Sequence, residues 1–400
     1  MKKSFFKPVK AATILLSSAV LLFACNKVYE PIAGPTPPVV DAANTLTKKL
    51  TADTTYSILL AGLARTGLNT VLDEPNANFT VFAPNNNSFR AAGLSLAVVN
   101  GMPLAQLTAV LQHHVIPNER IAAANIPTTF PNVQKGTALN IATNNLVTGL
   151  SSTAIPIKMT IYPSRRATGA WANNIPVVEP DVITASNGVV HRVATIIAPP
   201  SQTLAQALQA DTDFTYLLAA VARADSGIAP TSTSSLQYAL SLPFASLTVF
   251  APTNTAFRNL LVPAIAQALI SQGVDPVVAL AQATFLASTP AVFSTPALYP
   301  VLTPTFVRGI LVHHVLGQRA FAPNFPATAA NFPTLLNTVI ANHPGLTINA
   351  AFTGPFATGL SVKGIGNLTA ATAAPTTTGA VDRQAVNGVF YKIDQVLLPQ

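Results

Sequence analysis

The sequence holds a single cysteine in 400 residues, Cys25, so no disulfide can form within one chain. Charge is almost as scarce: 9% of residues are Asp, Glu, Lys or Arg, against about a quarter in an ordinary soluble domain. With only 14 acids, the surface is kept in water by Thr, Ser, Asn and Gln and not by ion pairs, a composition that suits an exported protein. The formal charge of +8 is misleading, because Lys2, Lys3, Lys7 and Lys10 supply half of it. The other basic residues are scattered, apart from Arg165-Arg166, which excludes the concentrated basic stripe of a nucleic-acid-binding protein. The longest apolar stretch, 260–293, is broken by Pro263, Asp275, Pro276 and Pro290, so it does not read as a transmembrane helix. No G-x-S-x-G elbow, H-E-x-x-H, P-loop or dinucleotide fingerprint occurs. The expectation is therefore a protein that is not an enzyme and that needs no cofactor or metal.

What is present begins with an address. Residues 1–24 consist of a basic head and a short apolar run, Ala11 to Leu22, the length of a signal-peptide core and too short to span a bilayer. The run closes on Leu22-Phe23-Ala24-Cys25, which resembles the lipobox of bacterial lipoproteins. That resemblance implies cleavage before Cys25 and acylation of its thiol, with several acyl chains giving stable anchoring where one would not. Residues 25–44 then carry Pro31, Pro35, Pro37 and Pro38, a composition that favours an extended tether. Asn26 after the cysteine resembles lipoproteins forwarded to the outer membrane. The expected location is thus the outer membrane, facing the periplasm or the cell surface.

Beyond residue 44 the chain repeats itself. Thr45-Leu46 to Leu59-Leu60 matches Thr203-Leu204 to Leu217-Leu218, and TVFAP at Thr80–Pro84 matches TVFAP at Thr248–Pro252. His113-His114-Val115 matches His313-His314-Val315, and Asn187-Gly188-Val189 matches Asn387-Gly388-Val389. Four blocks in the same order mark a duplication. Their offsets of 158, 168, 200 and 200 residues place about 10 extra residues before the second TVFAP and about 32 after it. The reading is two globular domains, 45–200 and 201–400, the second with an insertion at about 260–306.

Within each copy, Leu59, Leu60 and Leu63 fall at helical spacing. TVFAP reads as a short buried strand ended by proline, and the Asn/Thr-rich residues after it suit a helix cap. The later half of each copy is rich in Thr, Val and Ile with Gly and Pro punctuation, hence strands. Asn-Gly ahead of Val189-Val190 and of Val389-Phe390 signals a tight turn feeding a strand. Helices early and strands late make the class α+β.

These blocks resemble the fasciclin-like domain. Its T-(V/L)-F-A-P-(T/N)-(N/D)-x-A-F block is matched at 80–89 and 248–257, and its L-x-x-(Y/H)-H-V signature at His113-His114 and His313-His314. Its closing D-I-x-x-x-N-G-V-I-H-x-I-D-x-V-L-x-P block is matched by Asp382, Asn387-Gly388-Val389, Ile393-Asp394 and Val396 to Pro399. The first copy matches it with Asp181-Val182-Ile183, Asn187-Gly188-Val189 and His191, but has Ala194 where the second aspartate would stand. The resemblance implies two tandem wedge-shaped domains, each a seven-stranded, two-sheet β-sandwich with helices packed along one edge. It also implies adhesion to cells, matrix proteins or polysaccharides, with no general enzymatic activity.

Carried over residue by residue, the family's binding positions are Asp181, Val182, Ile183 and His114 in the first copy, Asp382 and His314 in the second. For each a structural role stands beside the binding one: buried histidines bonded to backbone, and aspartates bonding local amides. Asn187, Gly188, Asn387 and Gly388 are motif residues expected to serve the fold. Tyr162, Arg165, Arg166 and Trp171 cluster in the first copy without counterparts in the second. Aromatic faces beside guanidinium groups suit stacking on sugars, while a lone Trp equally suits a core. The insertion either covers the sheet or the interdomain seam with extra helices, or is itself a partner-binding surface. The leading functional expectation is a lipid-anchored envelope adhesin recognising cell-surface, matrix or polysaccharide ligands. The alternatives are an accessory polysaccharide-binding lipoprotein for nutrient capture and a structural envelope protein.

Overall fold

A computed structural model describes residues 41–142 and 156–400. The expected signal peptide at 1–24, the expected lipidation site Cys25 and most of the expected tether lie outside the described residues. Residues 41–400 form one compact unit, and among the described residues no helix is long and apolar enough to cross a membrane.

Each repeat opens with helices, Leu46–Thr51 and Ser57–Thr66 in the first, Leu204–Ala210 and Thr215–Ala224 in the second. The opening threonines cap them. Thr45 accepts the Lys48 amide, and Thr203 forms a reciprocal capping box with Gln206. The TVFAP strand follows, Phe79–Pro84 or Leu247–Pro252. It runs parallel to the last strand of its own repeat, Gly188–Val193 or Gly388–Ile393, and antiparallel to the short strand after the His pair. Flanked on both sides, Phe79–Pro84 is buried along its whole length, which is why it reads as a continuous apolar run.

Polar residues of the TVFAP block have defined positions. Thr80 Oγ1 donates to Glu119 O (2.8 Å) and accepts from Ile121 N (2.8 Å). Thr248 repeats this with Gln318 O (2.7 Å) and Ala320 N (2.9 Å). After the strand, Asn86 Oδ1 accepts the Ile58 amide at 3.0 Å, and Asn254 Oδ1 accepts the Tyr216 amide at 3.0 Å. One asparagine thus staples the post-strand helix to the opening helices in both copies.

The first repeat has a six-stranded sheet and the two-stranded Lys135–Ala142/Pro156–Ile161 pair; the second has two four-stranded sheets. The class is α+β with tandem, two-sheet repeats, as expected. Among the described residues each repeat has eight strands, one more than the family resemblance implied, with short edge strands such as Ala371–Thr372 counted separately.

The tight turn lies one residue earlier than the sequence suggested. Ala185 pairs with Gly188, so the turn residues are Ser186-Asn187, and Ala385 pairs with Gly388 in the same way. The glycines are required by close approach. A Cβ on Gly188 would stand 2.5 Å from Phe79 O, and one on Gly388 2.5 Å from Leu247 O. The asparagines are buried brackets. Asn187 accepts from Leu46 N (2.8 Å) and donates to Leu72 O (2.9 Å) and Glu74 O (2.8 Å). Asn387 does the same with Leu204 N, Leu240 O and Leu242 O at 2.7, 2.9 and 2.9 Å.

The insertion becomes helices. Asn254–Ser271 and Pro276–Leu286 are followed by two 3-10 turns, Pro290–Ser294 and Pro296–Leu298. They pack on Thr215–Ala224 through contacts such as Phe257 stacked on Tyr216 (6.3 Å) and Tyr216 Oη to Ala287 O (2.7 Å), and on one another where Phe257 meets Phe293 edge-on (5.8 Å). They thicken the helical layer of the second repeat.

Candidate functional site

The first hairpin strands beyond Tyr162, Pro163–Arg166 and Gly169–Ala172, lie against the second repeat. Tyr162 is 4% exposed and belongs to that repeat's inter-sheet core, 5.8 Å from Phe321 and with the Arg319 guanidinium 5.0 Å over its ring. Trp171 is fully buried, its indole N–H donating to Pro355 O at 2.8 Å and its ring 6.3 Å from Phe352. Polar side chains complete the seam. Asn132 Nδ2 donates to Arg319 O and to Asn324 Oδ1 (2.7 Å), and Asn324 Nδ2 donates to Ser164 Oγ (3.0 Å). Asn173 donates to Gln384 Oε1 at 3.0 Å, and Gln384 donates back to Asn174 Oδ1 at 2.9 Å.

The cluster read from the sequence as an open sugar-stacking patch is thereby divided. The faces of Tyr162 and Trp171 are covered by the second repeat. Half-buried Arg166 points its guanidinium at Thr129 O and Asn132 Oδ1, bracing the seam. Exposed Arg165 reaches Ala124 O. Arg165, Arg166 and Trp171 lie on one hairpin directly after Tyr162, and what the aromatic pair meets is the protein itself.

The histidines are latches. His114 is 2% exposed; its Nδ1–H donates to Val110 O (2.7 Å) and its Nε2 accepts the Ile197 amide (3.0 Å). His314 repeats this with Ile310 O (2.8 Å) and Leu397 N (2.8 Å). Accepting an amide requires the neutral ring, and burial pushes both pKa values down to about 4, against a smaller upward pull from the carbonyl bond. Burial likewise holds His113 and His313 down at about 3.

The aspartates hold the turn that follows the His strand. Asp181, at φ 53, receives the Ala123 amide on both carboxylate oxygens (3.0 and 2.9 Å). Its neighbours Val182 and Ile183 are half-buried against the helical core. Asp382 receives Ala322 N at 2.6 Å and the Tyr391 hydroxyl at 2.8 Å, and burial raises its pKa to about 6. His191 occupies in the first repeat the register position of Tyr391, opposite Phe82 as Tyr391 is opposite Phe250.

Asp382 differs from Asp181 in opening onto a cleft between the repeats. This cavity of about 290 Å³ is lined by Asn174 and Thr195 of the first repeat and by Thr353, Thr358, Thr378 and Asp382 of the second. Phe356, 47% exposed, stands on its wall. Sequence reasoning named only Asp382 among these. The threonine-rich composition of the later strands was visible, but their convergence needs the seam, which joins residues about 200 positions apart.

The chain has likenesses among known proteins. Residues 54–199 match the model of the fasciclin domain. The Synechocystis protein sll1483 is 28% identical over 164 residues, spanning 40% of this chain and 76% of that protein. Among solved structures, a FAS1 domain pair from the insect cell adhesion molecule fasciclin I aligns over 84% of this chain and 94% of its own, at 14% identity and a TM-score of 0.30. Residues 54–199 are thus similar to the fasciclin domain, a domain type associated with cell adhesion and binding, and the TVFAP strand, His latch and Asn-Gly bracket of that region recur in the second repeat.

Proposed function

We propose that this protein is an exported, lipid-anchored adhesin of the cell envelope, and that its two repeats act as one receptor whose cleft takes a hydroxyl-rich ligand, a surface or matrix polysaccharide. The observation that carries the reading is the cleft itself. Four threonine hydroxyls, an asparagine amide and a half-exposed phenylalanine ring converge on one cavity from both repeats. Hydroxyl and amide groups exchange hydrogen bonds with sugar hydroxyls, and an aromatic face gives a pyranose ring apolar contact. Such sites are individually weak, and display of many copies on a membrane against a repetitive polymer multiplies their strength. The anchor rests on Cys25 and its preceding apolar run, and the reach on the proline-rich tether.

The test is binding of residues 26–400 to a polysaccharide panel, with Phe356→Ala and Thr358→Val as variants. A selective, saturable glycan interaction weakened about tenfold by each supports the cleft. Glycan binding indifferent to both variants, or none by a folded protein, overturns it. Labelling of cells with an alkyne palmitate analogue checks the anchor: the full chain takes label and the Cys25→Ser chain does not.

A further inference from the structure

The second repeat contains a different cavity, away from the cleft and built in part by the insertion. It measures about 320 Å³ and is floored by Phe257, Leu261, Phe293, Val307 and Leu311, all 4–5% exposed. Leu260, Ala264, Phe306 and Ile310 stand at its rim. Of all its lining residues only Gln400 has a polar side chain, and none is charged. Leu260, Leu261, Ala264, Phe293 and Leu302 belong to the stretch in which the second copy exceeds the first.

We propose that this cavity is a binding site for one fatty-acyl chain. The chemistry of the wall selects the ligand. A sugar or peptide entering it gives up hydrogen bonds to water and finds only the Gln400 side chain among the lining side chains to replace them. A run of methylenes gives up none, and each CH₂ buried adds favourable transfer from water. The floor is made by residues of the helices Asn254–Ser271 and Pro304–His313 and by Phe293 of the 3-10 turn Pro290–Ser294, and Val396 and Leu398 close one side. The walls are therefore formed before a ligand arrives, and a chain entering them orders little of the protein. An envelope protein meets such chains as free fatty acids and as the tails of single-chain phospholipids.

The test titrates cis-parinaric acid into residues 26–400 and follows its fluorescence, then displaces it with dodecanoic acid or with a lysophospholipid. The expected result is saturable binding of about one equivalent per chain. Displacement by dodecanoic acid alone identifies free fatty acids as the source, and displacement by both admits phospholipid tails. Ala264→Trp places an indole at the rim from a solvent-facing position and weakens binding at least tenfold while the thermal transition stays in place. Leu260→Trp is the second plug should the first disturb folding. Phe285→Ser, on the exposed face of Pro276–Leu286, leaves affinity unchanged. Absence of saturable binding, indifference to both plugs, or loss in Phe285→Ser overturns the proposal, the last by showing that the exposed helix and not the cavity takes up lipid.

Discussion

The Trp171 indole nitrogen lies 2.8 Å from the Pro355 carbonyl oxygen, a hydrogen bond between residues 184 positions apart that closes the seam between two repeats. Around it the aromatic ring is fully buried, so the two domains share part of their interior. Removing a buried Trp side chain costs about 3–5 kcal/mol. Trp171→Ala is expected to separate one cooperative urea transition into two, each repeat unfolding by itself, whereas Trp171→Phe loses one hydrogen bond, about 1 kcal/mol, and keeps a single transition. Far-UV circular dichroism through the titration distinguishes these outcomes.

The His latches make the fold acid-sensitive. A folded pKa of about 4 for His114 and His314 lies below the unfolded value of about 6.5. Between those limits the unfolded chain binds more protons, so stability is full above about pH 6.5 and falls as pH drops toward 4. Each latch contributes on the order of 3 kcal/mol across that window. The melting temperature of the wild type is expected to fall steadily from pH 6.5 to 4.5. A His114→Gln/His314→Gln double variant is expected to be less stable at neutral pH and to show a shallower acid slope.

Asp382 works in the opposite sense. Burial lifts its pKa to about 6, so folding favours its protonated form and its contribution is lost as pH rises through 6. Asp382→Asn retains acceptors for Ala322 N and the Tyr391 hydroxyl without the buried charge. Its melting temperature is expected to equal or exceed that of the wild type at pH 7.5, with the difference shrinking by pH 4.5. A variant markedly less stable at pH 7.5 contradicts this.

The Asn-Gly brackets are expected to tolerate no isostere that changes donors into acceptors. Asn387→Asp aims a carboxylate at Leu240 O and Leu242 O, which the amide now serves, and loses two buried hydrogen bonds at about 1–3 kcal/mol each. Asn187→Asp does the same to Leu72 O and Glu74 O. Chemical denaturation is expected to show both variants less stable by several kcal/mol, with Ser186→Ala, at the partly exposed turn position, close to wild type.

Much of this architecture was legible because the chain states it twice. TVFAP, the His pair and Asn-Gly recur in order, and each turned out to hold a bond made identically in both copies. Residues with such duplicated bonding partners announce folding roles through their repetition. The asymmetric parts were less readable. Tyr162, Arg166 and Trp171 have the chemistry of a sugar platform and equally of a domain interface. Composition does not separate the two, because what buries Tyr162 and Trp171 is the second repeat's segments around residues 319–355. The cleft threonines were hidden for the same reason. The insertion was visible as extra length, which left added helices and a partner-binding surface equally open, and the cavity depends on how Phe257 and Phe293 meet edge-on.

The parallel pairing of each TVFAP strand with the closing strand of its own repeat also orders events in time. Phe79–Pro84 is flanked by Gly188–Val193, and Leu247–Pro252 by Gly388–Ile393, so the middle of each sheet waits for nearly the last residues of its copy. On the export route proposed above, a chain threaded through a membrane from its N-terminal end cannot complete the first repeat until about residue 197 has emerged, nor the second until residues 388–393 are across. Contacts of such long sequence separation form slowly, which keeps the chain unfolded while it is being moved and leaves Tyr162 and Trp171 bare until the second copy is finished.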